Sequence, residues 1–257
     1  MSAAASLTGT SIAPAARPRA KETLWRLLAL ALAHPTQEFR DVLADGSFHD
    51  AFAAAWWEIT GRRWSRPAAP GTLSALEAGY ITAFLHGRNG KPVASLLAGD
   101  HEELLRGLSR PAFMLNVGAF YSHFGLKAAV EDEGQLDEPD HAAAMAEFMA
   151  VLCHLEAHAC ARGADAGGPQ RAQRDFLARF LAPLLDTLAR KLRRKPVSGL
   201  DPTVAQLLEE MAPWARQQIA ELEARVGPFR DLDGPRPAAT DVTKDAVKDS
   251  GPQNLWG

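Results

Sequence analysis

The balance between helix formers and β-branched residues constrains this chain more than any motif does. Its 257 residues include 48 Ala and 32 Leu against 10 Val and 4 Ile. Ala and Leu favour helices, whereas Val and Ile favour the pleated surface of a sheet. The expected fold class is therefore all-α, and the parallel-sheet nucleotide-binding folds are excluded at the outset. The length is enough to bury a real core. The net charge of −3 offers no electrostatic footprint for nucleic acid. The longest apolar run near the N-terminus, Leu27 to Ala33, has seven residues, against the roughly 20 that a membrane span needs.

The ends read differently from the middle. Residues 1–20 contain Arg17 and Arg19, no acidic residue and little apolar surface. They lack the apolar stretch of a secretory signal. Their Arg/Ser/Ala-rich composition is that of an organellar transit peptide, and the plainer reading is a disordered tail. Residues 229–257 mix Pro, Asp, Lys and Gly without period and are expected to be a second disordered tail. Between them, residues 21–228 are expected to form a single all-helical domain.

Helical segments follow one another through that domain. Lys21 to Ala33 stops at His34-Pro35, because a residue before proline is pushed out of the α region. Further segments span Phe48 to Ile59, Leu73 to Leu85, and His101 to Phe124 with a break near Ser109-Arg110-Pro111. His141 to Ala161 sets Met145, Phe148, Met149, Leu152 and Leu155 on one face. A Gly-rich loop over Arg162 to Pro169 precedes the clearest helix, with Phe176, Phe180, Leu184, Leu188 and Leu192 spaced by four. A last helix carries Leu207, Leu208, Met211, Ile219 and Leu222. No fixed-period repeat supports a solenoid.

Two motifs suggest enzyme chemistry and fall short of it. The loop GRNGK, residues 87–91, lacks the spacing, the preceding strand and the following Ser/Thr of a phosphate-binding loop. The Cys153–Cys160 segment places His154 and His158 one turn apart, but four metal ligands cannot point the same way from a single helix. Its two cysteines lie roughly 10 Å apart along the helix axis, too far for a disulfide. A helical metal- or nucleotide-dependent enzyme using one of these motifs is the alternative reading. The stretch Glu131 to Asp140 carries six carboxylates in ten residues and ends in Glu138-Pro139-Asp140-His141 ahead of a helix. It is either a capped helix start on an acidic loop or a carboxylate patch for a basic peptide. In the second case Tyr80, Phe84, Tyr121 and Phe124 would supply an apolar groove.

At this point the sequence resembles a known family, the assembly chaperones of twin-arginine-translocated molybdoenzymes (the TorD/DmsD/NarJ-like superfamily). Glu138-Pro139-Asp140-His141 followed by AAAMAEFM is similar to the family's acidic-Pro-Asp-His hinge. Trp25-Arg26-Leu27-Leu28 with His34-Pro35 resembles its first helix. Glu77, Tyr80 and Phe84, then Gly87, Pro92 and Ser95, resemble its next segment. Phe120-Tyr121 to Gly125-Leu126, then Gln173, Phe176, Leu177 and Trp214, follow in the family's order. The wording around Leu136 looks most like the branch serving type II enzymes of the DMSO reductase family. Pro92-Val93-Ala94-Ser95 departs from the pattern in lacking an aromatic just before the serine.

The resemblance implies an all-α chaperone with a hinge at about residues 131–141, and no catalysis. Its partner would be the immature catalytic subunit of a molybdenum oxidoreductase, bound through the twin-arginine leader in a bacterial cytoplasm until the cofactor is inserted. The client-binding residues implied are Tyr80, Phe84, Ser95, Tyr121, Phe124, Glu138, Pro139, Asp140 and His141. No resident cofactor or metal is implied. Transient contact with the molybdenum cofactor or with GTP on the client stays open, as does the choice between a monomer and a hinge-swapped dimer.

Overall fold

The computed structural model describes residues 15–87, 90–126 and 138–230. The described residues contain helices and no strand, with one isolated β-bridge between Leu97 and His141. Helix α1 spans Ala16–Leu32, α2 Gln37–Asp45, α3 Ser47–Thr60 and α4 Leu73–Tyr80, which runs on as a π-helical turn through Leu85. A 3₁₀ turn at Ala98–Asp100 leads into the short α5, Glu102–Leu105, and then α6, Arg110–His123. Helix α7 is Ala142–Ala161. Helices α8, Gly167–Phe176, and α9, Ala182–Arg194, form one rod joined by a π turn, and α10 covers Pro202–Val226.

Three boundaries differ from the expectation. Helix α1 begins at Ala16, inside the segment read as tail, and buries Pro18 and Ala20; Ala and Arg favour the helix once its face has a core to meet. Helix α2 was not expected. Thr36 starts it by accepting the Phe39 N–H, and Phe39 with Leu43, one turn apart, bury its inner face. Helix α8 starts at Gly167, within the segment read as a Gly-rich loop, where Asp165 accepts the Gly167 N–H. The remainder of both tails and the acidic residues 131–137 lie outside the described residues.

The most extensive helix pair is α1 against α7. Leu24, Trp25, Leu28 and Leu32 of α1 are buried, as are Met145, Phe148, Met149 and Leu152 of α7. Helix α7 is not one-faced, however. Ala142, Ala143, Ala146, Ala150, Ala157 and Ala159 are buried too, so it is the central helix, and its small residues let neighbours approach from several sides. Trp25 and Trp56 both meet Trp214, at ring separations of 4.9 and 6.2 Å, tying α1, α3 and α10 into one core. Glycine sets one contact between distant segments: a Cβ on Gly79 of α4 would lie 2.0 Å from the Gly199 carbonyl oxygen.

Helices before and after residues 127–137 are also joined by a buried polar cluster. Lys21 of α1 donates to Glu156 of α7 at 2.6 Å and to Gln173 of α8 at 3.3 Å. Gln173 and Gln170 donate to the two oxygens of Glu156 at 2.8 and 3.0 Å. Burial alone would raise the Glu156 carboxyl, but Lys21 and the amide donors outweigh it and hold the group below its ordinary range. The charge is thus paired and hydrogen-bonded, as a buried charge must be.

Candidate functional site

Three segments distant in sequence meet in front of the N-terminus of α7. His141, not Asp140, is the N-cap, its ring Nδ1 accepting the Ala143 N–H. The preceding turn is laced to the loop at 95–101. The Ala98 N–H donates to the Asp140 carbonyl at 3.0 Å and the Ala142 N–H to the Leu96 carbonyl at 2.8 Å. The Asp140 side chain faces the same loop, with Oδ2 accepting the Gly99 N–H at 2.7 Å. A side chain on Gly99 would put Cβ 2.8 Å from both Asp140 Oδ2 and Arg110 Cγ. Only glycine allows this approach without displacing one of them.

Asp140 is fully buried, and its Oδ1 takes no hydrogen bond among the described residues. Burial raises its carboxyl above the usual range, and the Gly99 N–H and nearby Arg110 oppose that rise. A carboxylate patch open to a basic peptide therefore does not carry Asp140 at its surface. The helix N-terminus does favour an anion, but the 95–101 loop covers this one.

The carboxylates that reach the surface are its neighbours. Glu138 and Asp100 have side-chain exposures of 41% and 35%, and Arg110, at the start of α6, bridges them. Its Nη2 lies 2.5 Å from Glu138 Oε2 and its Nη1 3.1 Å from Asp100 Oδ1. Burial works against the Arg110 charge, but Glu138, Asp100 and Asp140 outweigh it and raise the guanidinium further. Ser95 holds Asp100 in place, donating from Oγ to Asp100 Oδ2 at 2.6 Å and accepting the Leu97 N–H. Behind it, the His101 ring is buried between the Ser95 carbonyl, 2.8 Å from Nε2, and Lys191 Nζ, 2.8 Å from Nδ1. An ammonium can only donate, so Nδ1 accepts and the Nε2–H donates to Ser95.

An apolar groove of about 880 Å³ opens from this carboxylate group along α6, lined by Met114, Leu115, Gly118, Tyr121, Leu126 and Pro139 among others. Leu115 is 75% exposed, high for a leucine with no partner surface. Tyr121 closes the floor by donating its hydroxyl to the Pro139 carbonyl at 2.6 Å, and burial raises its phenol strongly.

The aromatic residues expected to share one groove are divided by the fold. Tyr121 and Pro139 line it. Phe124 lies on the other side of α6, packed on Phe148, and lines a separate cavity of about 620 Å³ with His123 and Arg171. Tyr80 and Phe84 are buried near the end of α1, where the Tyr80 hydroxyl donates to the Leu32 carbonyl. Neither lines the groove. Arg110, Gly99 and Asp100 were missed by sequence reading, where Arg110 appears only as part of a break between helices.

The segment carrying the enzyme alternative has a different character. Cys153 is buried and its thiol is pushed up to about 12, so it is not a ready thiolate ligand. His154 and His158 stack at 6.3 Å, and His154 meets Glu22. Among the described residues no three His, Cys, Asp or Glu form a group able to hold a metal. Residues 88 and 89 of the GRNGK loop lie outside the described residues. No helix of the described residues is long and apolar enough to cross a membrane.

Comparison with known proteins decides the class. A family model described as the nitrate reductase delta subunit matches residues 31–190. The chain belongs to this family. It is 51% identical over 242 residues to a dimethyl sulfide dehydrogenase assembly chaperone of Rhodovulum sulfidophilum, covering 94% of both chains. It is 34% identical over 181 residues to a selenate reductase assembly chaperone of Thauera selenatis, covering 66% of this chain and 86% of that one. A chlorate reductase assembly chaperone of Ideonella dechloratans is 32% identical over 160 residues, 61% of this chain and 78% of its own. No solved structure matches the chain. These relatives bear the names of assembly proteins rather than catalysts, and the enzyme alternative is set aside.

Proposed function

We infer that this protein is a maturation chaperone for a molybdenum oxidoreductase of the dimethyl sulfide dehydrogenase kind. It holds the immature catalytic subunit, in the cytoplasm, through the subunit's twin-arginine leader. The observation that carries the reading is the meeting of half-exposed Asp100 and Glu138, with buried Asp140 behind them, and an apolar groove of about 880 Å³ along α6. An arginine side chain matches the carboxylates bidentately. The apolar stretch that follows the arginines in such a leader suits the groove, in the manner of a helix laid into a hydrophobic cleft. Ser95, Tyr121, Pro139 and His141 shape this site. Tyr80 and Phe84, buried near the end of α1, lie outside it. Phe124 backs α6 on its far side.

Isothermal titration with a synthetic twin-arginine leader peptide tests the reading. Wild type should bind it, and Leu115→Asp, which sets a charge on the exposed leucine of the groove wall, should weaken binding by about 1.5–3 kcal/mol, the worth of burying an apolar side chain. That is roughly 10- to 150-fold in Kd. Absence of binding to the wild type, or equal binding by a folded Leu115→Asp, would sink the proposal.

A further inference from the structure

We propose that Arg110 is a built-in competitor that occupies the client arginine's place and sets the affinity of the site. The inference rests on the functional reading above. In the free chain the two half-exposed carboxylates are already engaged: Nη1 of Arg110 lies against Asp100 at 3.1 Å and Nη2 against Glu138 at 2.5 Å. One guanidinium therefore spans both acceptors, at the point where the groove begins, and Arg110 with Pro111 forms part of the groove wall. A second guanidinium cannot take the same bonds while the first remains, because the two cations would face each other across the same oxygens.

The placement of Arg110 suits displacement. It is the first residue of α6, where the positive end of the helix dipole disfavours a cation. The carboxylates, not the helix, keep it there. Its side chain is 39% exposed, so solvent is adjacent once it lets go. A Cβ on Gly99 would come within 2.8 Å of its Cγ, so the 95–101 loop crowds the stem and leaves the head able to move. Binding is then an exchange in which an incoming arginine takes over both bonds and Arg110 moves into water. Because charge is traded for equal charge, the exchange itself gains little, and the net gain comes from the apolar segment entering the groove. A lysine lacks the planar fork that spans two oxygens and binds less tightly than an arginine, while Arg110 weakens both by the same factor, set by the fraction of the time that it holds the carboxylates.

The test compares two synthetic peptides, a twin-arginine leader and its twin-lysine version, titrated into the full chain as wild type, Arg110→Gln and Arg110→Lys. Circular dichroism checks that each variant is folded. Arg110→Gln should bind the arginine peptide roughly 5- to 30-fold more tightly than wild type, the range for releasing a bidentate but partly exposed ion pair. It should tighten the lysine peptide by the same factor and leave the ratio between the two peptides unchanged. Arg110→Lys, a weaker occupant, should fall between, and it serves as the decisive variant if Arg110→Gln does not fold. Equal or weaker binding of the arginine peptide by the folded variants, with wild type binding it, would overturn the competitor and leave the functional reading standing. No binding by wild type or by either variant would overturn both.

Discussion

Replacing Lys21 by Met removes the ammonium from a carboxylate that has almost no access to water. The side-chain exposures of Lys21 and Glu156 are 5% and 1%. Stranding one member of a buried pair costs about 3–5 kcal/mol. Two amides still donate to Glu156, and Arg225 stands 3.8 Å from Oε1. The expected loss is therefore at the lower end, about 3 kcal/mol. For a domain of this size each kcal/mol shifts Tm by about 2–4 °C, so Lys21→Met should melt roughly 6–12 °C lower at pH 7.5. The pH dependence gives a second signature. In the wild type the Glu156 carboxyl is held below its ordinary 4.5, so its contribution is present above that value and lost as pH falls through the lowered one. Without Lys21, burial dominates and the carboxyl rises above 4.5. The ionised form is then a burden at neutral pH that protonation relieves, and the deficit of the variant should shrink as pH falls toward 4.5. Adding Glu156→Gln should restore much of the lost Tm. A shift below about 2 °C, or no rescue by the second substitution, would refute this account of the buried charge.

Two further predictions concern the loop behind the carboxylates. Burial lowers the His101 pKa, with the Lys191 charge adding to that effect against the Ser95 bond. The stability it brings is present above 6.5 and lost as pH falls through its lowered value. The wild-type Tm should therefore decline between pH 7.5 and 5.5 with a slope that His101→Gln reduces; an unchanged slope in thermal melts would place the decline elsewhere. Gly99→Ala forces Cβ against Asp140 and Arg110 and should cost about 1–3 kcal/mol in urea unfolding. A change under about 0.5 kcal/mol would mean that the loop relaxes freely.

The all-helical class was legible because composition alone separates it from sheets, and most helices announce themselves by period. What escaped were features decided by tertiary context. Helix α2 has readable signals, Thr36 as a cap and Gly46 at φ 92° as a stop, but only two buried apolar residues mark its face, and Pro35 draws attention as an ending. The five-residue π turn at Leu177–Leu181 leaves the four-residue spacing of α8 and α9 looking continuous. The first turn of α1 reads as tail because Arg17 and Arg19 are polar. Its helicity depends on burying Pro18 and Ala20 beside Lys21.

The site was legible in place but not in arrangement. Glu138-Pro139-Asp140-His141 marks where α7 begins, and local chemistry then suggests that Asp140 faces outward as the helix's anion. The outcome depends on a loop 41 positions away: Gly99 has no side chain, so its N–H can close on Asp140, and that closure buries the carboxylate. Local reading sees the aspartate and cannot see the glycine that covers it. Burial in turn changes what Asp140 does. Buried behind Asp100 and Glu138, Asp140 presents its carboxyl to the Gly99 N–H and to Arg110 rather than to the surface. Of the motif's described carboxylates, Glu138 therefore stands at the surface and Asp140 behind it. Their separation into front and back is a property of three converging segments that no single stretch of sequence contains.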